Sequence, residues 1–356
     1  MIFNCAFNDE GKVLVYNEGR KCELEMTGMI SRLSVYMEGR DDMHYVIGDV
    51  HGCYTELMAL LDKIESQDAE AQIIFVGDWV DRGSEQKQVL DWMMEHITED
   101  GKYQSVRGNH DEEAWEWYKG EYEPWRKWNP ECEKELSQPP YSNYNFYEVV
   151  QNEYKHDLKL LEPLIDKLHN LPYNKLVEVE SRNHKKVKYR IAHAWHEHRD
   201  DVSKWSKIEA NLYVRKYAIG NQDNPEEIYV HGHTPTIVEN YYFAGNPRFE
   251  RPGMISYREN AINVDGGCCF LMHDPFHPCM LCGICLETLE EFYCDTLENR
   301  LRMGIRHYLE EHPDKVGEEG FEATLERMVQ EKRVRYDKVV EDRHRINILK
   351  RLGERK

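Results

Sequence analysis

The chain has 356 residues, 40% of them hydrophobic, and a formal net charge of −20. That is enough apolar material for a full core, as one large domain or two small ones, and so acidic a chain repels polyanions, which argues against a nucleic-acid backbone or an anionic membrane as its main partner. No apolar run approaches the roughly 20 residues of a membrane-spanning helix. The stretch Met1 to Arg20 lacks the basic-then-apolar pattern of a secretory signal. The ten cysteines therefore read as reduced thiols, and a cytoplasmic location is expected.

In chain order, residues 1–42 form an N-terminal extension in which Val13–Tyr16 before Asn17-Glu-Gly19 suggests half of a hairpin. From Met43 a rhythm begins. His44–Ile47 is a β-rich run, and Leu57, Leu60, Leu61 and Ile64 then recur at helical spacing. Ile73–Val76 predicts a strand, Val89, Trp92, Met93 and Ile97 a helix, Tyr103–Val106 a third strand, and Glu112–Tyr118 a helix. Alternating strands and helices imply βαβ units and an α/β core. Residues 120–150 break the pattern with Trp125, Trp128, Tyr141 and Tyr144, and read as a long aromatic lid. Helix is expected again over Asn152–Leu168, strands over Lys175–Glu180 and Lys186–Ala192, a helix over Ile208–Ala218, a strand before Gly232, and short strands between Met254 and Tyr293. The tail, 296–356, is charged and helical, with Phe321, Leu325 and Met328 on one face. It reads as a solvated helix docked on the acidic body, with a protein-binding arm as the alternative.

The chemistry-bearing residues lie where predicted strands end, where ligand sites of open α/β sheets gather. Asp49 and His51 sit in Gly48-Asp-Val-His-Gly52, and Asp78, Asp81 and Arg82 in Gly77-Asp-Trp-Val-Asp-Arg-Gly83. Arg107, Asn109 and His110 sit in Arg107-Gly-Asn-His-Asp111. His193 ends Tyr189–Ala192, and His233 belongs to Val230-His-Gly-His-Thr-Pro235. Carboxylate, imidazole and amide ligands together suit borderline divalent ions such as Mn, Fe or Zn. A carboxylate such as Asp78 can bridge two ions, which can hold a hydroxide between them and clamp an in-line displacement. Arg82 and Arg107, beside these ligands, suit phosphoryl oxygens. His110 suits protonation of a leaving oxygen, with Asp81 fixing its charged form.

The set GDVHG, GDWVDRG, RGNHD, IAHAW and HGHTP resembles the calcineurin-like metallophosphoesterases, and more narrowly their phosphoprotein phosphatase branch, over roughly Tyr45 to Asp295. The resemblance implies a β-sandwich of two mixed sheets flanked by helices, a catalytic domain spanning 43–295, with the helical tail added. It implies two divalent ions, Mn above Fe or Zn, one held by Asp49, His51 and Asp78, the other by Asp78, Asn109, His193 and His233. His110 with Asp81 would be the proton donor, and Arg82, Arg107 and Arg215 the phosphate ligands. The expected function is hydrolysis of phosphate monoesters by metal-bound hydroxide, on phosphoserine or phosphothreonine in proteins and also phosphotyrosine. Two alternatives stand: a dinucleoside-polyphosphate hydrolase or RNA end-processing phosphatase, and a non-catalytic phosphate-binding scaffold.

Other residues read more plainly. His231 is either a partner of a ligand or structural, and His196 and His198 fit a surface loop. Cys279, Cys282 and Cys285, spaced CxxCxxC near Cys268, Cys269 and Cys294, fit buried strands better than a structural metal.

Overall fold

The computed structural model describes residues 43–122, 145–181, 183–197, 203–215, 226–238, 251–258, 260–271, 273–274, 276–337 and 343–353, and the course of four strands within 4–37. The chain forms two units, Met1–Met43 and His44–Lys356. The first carries an antiparallel meander: β1 (Asn4–Phe7), β2 (Val13–Asn17), β3 (Arg20–Leu24) and β4 (Tyr36–Met37). Asn17 faces Arg20 in its register, so the expected hairpin closes over two residues.

The second unit opens with the predicted βαβ rhythm. Strands β5 (His44–Ile47), β6 (Gln72–Phe75) and β7 (Tyr103–Ser105) run parallel, joined by α1 (Tyr54–Gln67) and α2 (Gln86–His96). Helix α1 buries Leu57, Leu60, Leu61 and Ile64, and α2 buries Val89, Leu90, Trp92 and Met93. Each such side chain contributes about 1.5–3 kcal/mol when fully buried, an upper bound because the unfolded chain already hides some surface.

After β7 the chain enters α3 (Asn109–Trp117) at once, three residues earlier than the apolar spacing predicts. The reason is electrostatic: the Asp111 carboxylate accepts the Gly108 N–H at 2.9 Å and so caps the first turn. Residues 118–122 continue as a π turn. The aromatic insert falls mostly outside the described residues, including Trp125, Trp128, Tyr141 and Tyr144. Its end is helical, as α4 (Asn145–Glu148) and a second π turn, Val149–Glu153. The next helix, α5 (Leu158–Asn170), starts later than expected because Asp157 caps it through the Lys159 N–H.

A second sheet follows, built from β8 (Asn174–Glu180), β9 (Lys186–Ala192), β10 (Glu227–His231), β11 (Ser256–Arg258) and β12 (Ala261–Asn263), in the order β11-β12-β10-β9-β8. Between β9 and β10 lies α6 (Lys204–Tyr213), capped by Ser203 and ending before the expected Ala218. The chain then returns to the first sheet with β13 (Cys282–Cys285) and β14 (Glu291–Tyr293), giving the order β14-β13-β5-β6-β7. Both five-stranded sheets are mixed, and helices flank them, as the α/β reading expects. The Tyr189 hydroxyl of β9 donates to the Leu286 carbonyl beyond β13 at 2.7 Å, one link between the sheets.

The tail packs on this body. Helices α7 (Leu297–Glu311), α8 (Phe321–Asp337) and α9 (Arg343–Arg351) bury Leu301, Ile305, Leu309, Leu325, Val329 and Ile348, and Leu352 just after them. Exposed ion pairs such as Arg306–Glu322 line α7 and α8; such pairs are worth only about 0–1 kcal/mol, so the apolar seam dominates. The Tyr336 hydroxyl donates to Pro252 O at 2.7 Å, and Ser181 Oγ donates to Leu352 O at 2.8 Å. Among the described residues, no helix is long and apolar enough to cross a membrane.

Candidate metal centre and active site

The strand ends of β5, β6, β7, β9 and β10 converge, and each delivers the residue that follows it. This requires unusual backbone. His51, Asp78, Asp81, Arg82 and His233 all have positive φ, between 43° and 72°. For non-glycine residues that region is strained, at about 1–3 kcal/mol each, and such strain clusters at functional sites. Close approach also demands glycine. A Cβ on Gly232 would sit 1.9 Å from Asp49 Oδ1 and 2.8 Å from Val76 Cγ2.

Asp78 lies at the middle. Its Oδ2 is 3.3 Å from His51 Nε2 and 3.3 Å from His193 Nε2. Ligand atoms of Asp49, Asp78 and His193 lie within 4.8 Å of one another, as do those of His51, Asp78 and His110. On the far side, His193 Nε2, His233 Nδ1 and Asn109 Oδ1 converge: His193 to Asn109 is 2.9 Å, His233 to Asn109 2.8 Å, and His193 to His233 3.1 Å. The structure thus brings together all six residues expected to hold metal.

The imidazoles are oriented by backbone carbonyls, which can only accept. His51 Nδ1 meets Val80 O at 2.8 Å and His193 Nδ1 meets Val76 O at 2.9 Å, so these nitrogens carry the protons and the Nε2 lone pairs face inward. His233 is reversed: Nε2 meets Tyr213 O at 3.2 Å, and Nδ1 faces the cluster.

The donor set fits divalent ions. Asp49, Asp78, Asp81, Asp111 and Asp265 are all buried here, and burial together with the charges of Asp265 and Asp78 pushes the Asp49 carboxyl well above its ordinary pKa. Buried carboxylates in such excess call for cations. Burial also drives the His51 pKa down to about 4, with the Arg82 charge adding to it, so the ring is neutral and its lone pair available.

Beside the cluster stands a second group. His110 Nδ1 meets Asp81 Oδ2 at 2.6 Å, and Asp81 is held in turn by the Phe146 N–H at 2.9 Å. Burial disfavours the His110 imidazolium, but the charge of Asp78 and the hydrogen bond to Asp81 outweigh it and raise its pKa, against the opposing charge of Arg82. Arg82 Nη2 lies 3.0 Å from His110 Nε2, with the guanidinium over the Phe270 ring at 5.2 Å.

The other two arginines are placed differently. Arg107 Nη1 pairs with Glu112 at 2.6 Å and donates to the Tyr173 hydroxyl at 3.0 Å, while its Nε donates to Leu171 O. Its charge is spent beside the cluster on Glu112. Arg215 Nη1 donates to His233 O at 2.7 Å and to Thr234 Oγ1 at 3.0 Å, on the flank of the His233 loop. His231 is buried, with Nδ1 3.1 Å from Gly232 O, and burial lowers its pKa to about 4. His196 is half-buried, near Asn211; His198 lies outside the described residues.

Two functional carboxylates escaped the reading of the sequence. Asp111 accepts three backbone N–H groups, from Asp78 (3.0 Å), Trp79 (2.9 Å) and Gly108 (2.9 Å), fastening the loop after β6 to the start of α3. It stood in the RGNHD motif, and the signal was its place at the third position of a helix. Asp265 is buried near Arg82 and Asp78, where burial raises its pKa to about 6. It follows β12 as Asn263-Val-Asp265-Gly-Gly267, an Asp beside glycine just past a strand, with the Gly-Asp order of the recognised motifs reversed.

Comparison with known proteins agrees with this geometry. The family model described as calcineurin-like phosphoesterase matches residues 45–259. Among curated proteins, the chain is similar to the symmetrical bis(5'-nucleosyl)-tetraphosphatase of Neisseria gonorrhoeae, 40% identical over 68 residues, covering 19% of this chain and 24% of that one. The counterpart from Erwinia tasmaniensis is 46% identical over 46 residues, 13% of this chain and 17% of that one. The chain thus spans no more than about a quarter of these relatives. Among solved structures, a putative diadenosine tetraphosphatase matches at 16% identity and a TM-score of 0.40, covering 71% of this chain and 92% of that one. A cold-active protein-tyrosine phosphatase of a psychrophilic Shewanella matches at 14% identity and a TM-score of 0.38, covering 83% and 100%. With the family model covering well over half of the chain and the strand-end ligands assembled around Asp78, this protein belongs to the calcineurin-like phosphoesterase family.

Proposed function

We propose that the protein is a two-metal phosphatase acting on phosphate monoesters, with phosphoserine and phosphothreonine in proteins as the principal substrates and phosphotyrosine also accepted. The observation that carries this reading is the Asp81–His110 pair set beside the Asp78-centred ligand cluster, with Arg82 against the same imidazole. Asp49, His51 and Asp78 would hold one ion, and Asp78, Asn109, His193 and His233 the other, with Mn favoured over Fe or Zn. When bound, two such ions supply Lewis acidity and lower the pKa of water toward about 7.

The chain's own groups do the rest. Arg82 neutralises developing charge on the phosphoryl oxygens. With Arg82 drawn off Nε2 onto the phosphoryl oxygens, His110 can carry a proton there and give it to the leaving oxygen, while Asp81 keeps Nδ1–H aimed and favours the charged ring. Arg215 flanks the second ion's ligands and is a further phosphate contact. Arg107 can join them through Nη2, since Glu112, Tyr173 and Leu171 O engage only its Nη1 and Nε. Hydrolysis is direct, so no phosphoenzyme accumulates.

One observation favours monoesters over polyphosphates. The rim beside Asn109 is acidic: Glu113 Oε1 accepts from Asn109 Nδ2 at 3.2 Å, and the Tyr213 hydroxyl, itself buried enough to resist ionisation, feels Glu113, Glu116 and Glu112. Extra phosphates would meet that rim with like charge. The local similarity to tetraphosphatases favours the second reading, a dinucleoside-polyphosphate hydrolase. The test is turnover of a phosphoserine peptide, a phosphotyrosine peptide and diadenosine tetraphosphate by metal-stripped protein re-supplied with Mn, with Asp78→Asn as control. Faster peptide turnover is expected. Turnover of the dinucleotide alone would select the second reading, and tight peptide binding without any turnover would make the protein a scaffold.

A further inference from the structure

The fold gathers chemistry-bearing side chains a second time, in a place the catalytic reading does not use. Cys53, at the head of α1, Glu56, in its first turn, and Cys268, after β12, bring one sulfur or carboxylate atom each to within 4.8 Å of one another. The cysteine group suggested by sequence spacing is not the one assembled. Cys282 and Cys285 lie within β13, where their thiols meet Met280 O and Glu287, while Cys279 is buried just before it. Among the described residues, no three-ligand cluster contains any of them.

The surroundings of the cluster suit an ion. Cys53 and Cys268 are buried, as is Arg300, whose Nη2 donates to Glu56 Oε1 at 3.0 Å and lies 2.9 Å from Cys294 Sγ. A guanidinium on the ligand carboxylate is the kind of outer partner that orients metal ligands. The Cys53 thiol points at the His51 carbonyl, 3.6 Å away. Without an ion, two neutral thiols, one carboxylate and one guanidinium sum to zero. Binding a divalent ion and releasing two thiol protons leaves that sum unchanged, so the pocket is not charged by loading.

We propose that Cys53, Glu56 and Cys268 form a third metal site, for a thiolate-preferring divalent ion of the zinc class. Two thiolates and a carboxylate are donors that zinc accepts. The site's place explains its use. Cys53 lies two residues after His51, and Cys268 three after Asp265 and next to Cys269, whose thiol hydrogen-bonds Arg82. An ion here ties the loop after β5 to the loop after β12, and so fixes two walls of the catalytic site from behind without touching substrate.

The test uses the full chain under reducing conditions, stripped by chelator and titrated with Co²⁺. The catalytic ligands are nitrogen and oxygen only, so a near-ultraviolet thiolate-to-cobalt charge-transfer band reports the third site alone, whatever the enzyme's substrate. The band is expected in the wild type and in Cys285→Ser, absent in Cys53→Ser and Cys268→Ser, and displaced by Zn²⁺. Retention of the visible cobalt bands of the catalytic pair in the serine variants shows that they are folded. Absence of the band from the wild type, or its survival in both serine variants, overturns the proposal. So does a Cys53–Cys268 disulfide, seen as loss of two hydrogens in intact mass that reductant restores.

Discussion

Asp111→Asn isolates what the buried carboxylate beneath the metal site does, because it removes a charge without changing shape. Asp111 Oδ2 accepts the N–H groups of Asp78 and Gly108, and Oδ1 that of Trp79. With its carbonyl placed at the Oδ2 position, asparagine keeps two of these bonds, now to a neutral acceptor, and turns an NH₂ toward the Trp79 N–H. Weakening each retained bond costs about 1 kcal/mol, and an unsatisfied buried donor costs about 1–3 kcal/mol more. The opposite flip loses two bonds and is worse. Against this stands relief: burial and the Asp78 charge already push the Asp111 pKa up to about 6, so removing the charge returns part of the loss. The net expectation is a destabilisation of about 2–4 kcal/mol, read as a shift in urea unfolding of metal-stripped protein by tryptophan fluorescence. Mn affinity is expected to fall by about 10- to 100-fold, since the loop carrying Asp78 loses its anchor. Unchanged or increased stability with unchanged Mn affinity would refute the reasoning and show that charge relief, not hydrogen bonding, governs this position.

Three further outcomes follow from the same geometry. His110→Asn should lower kcat by about 10²- to 10⁴-fold on an alkyl phosphate, whose leaving oxygen needs a proton, and by much less on p-nitrophenyl phosphate; equal losses on both would remove His110 from the role of acid. Asp81→Asn removes the charge that helps keep the His110 imidazolium, leaving at best a neutral acceptor for Nδ1–H, so the alkaline limb of the kcat profile should move to lower pH, and a limb that stays put argues against the pair. Gly232→Ala drives a methyl into Asp49 and Val76, so calorimetry should find weakened Mn binding, most of all at the ion held by Asp49; wild-type binding would mean that the His233 loop yields freely.

The legible parts of this molecule were those where local chemistry and tertiary structure demand the same residues. Helices α1 and α2 announce themselves because one face must be apolar, strands β5 and β6 because they are buried on both faces and read as short apolar runs, and the glycines and acids after most strands mark turns that lead somewhere. Five of the six metal-binding candidates share that signature; His193 directly follows Ala192 at the end of β9 with no glycine or acid beside it. What was illegible depended on partners remote in sequence. That Glu112, Tyr173 and Leu171 O would engage Nη1 and Nε of Arg107 requires knowing that α5 brings Leu171 and Tyr173 alongside. That Trp117 would be buried against Phe146 and Tyr147 of α4, while Trp115 stacks on His169 of α5 with rings 3.9 Å apart, likewise depends on helices remote in sequence. The CxxCxxC cysteines are buried in and beside β13, as read, but that pattern is local, whereas Cys53 and Glu56 meet Cys268 from more than two hundred positions away, which no local pattern shows. Asp265 was missed because its strand, β12, is only three residues long and carries too little periodicity to be noticed.

The opposed settings of the three ligand histidines have a consequence for what the centre refuses. Val80 O, Val76 O and Tyr213 O each immobilise one ring before any ion arrives, so the inward lone pairs are preorganised and cannot retreat to make room for water. Magnesium keeps most of its hydration shell and asks for oxygen in a near-ideal octahedron. Three of the six candidate donors are fixed imidazole nitrogens, which suit it poorly, while borderline ions accept nitrogen and oxygen donors together. If these rings hold the ions as proposed, the three carbonyls behind them would bias the centre toward borderline ions and away from magnesium.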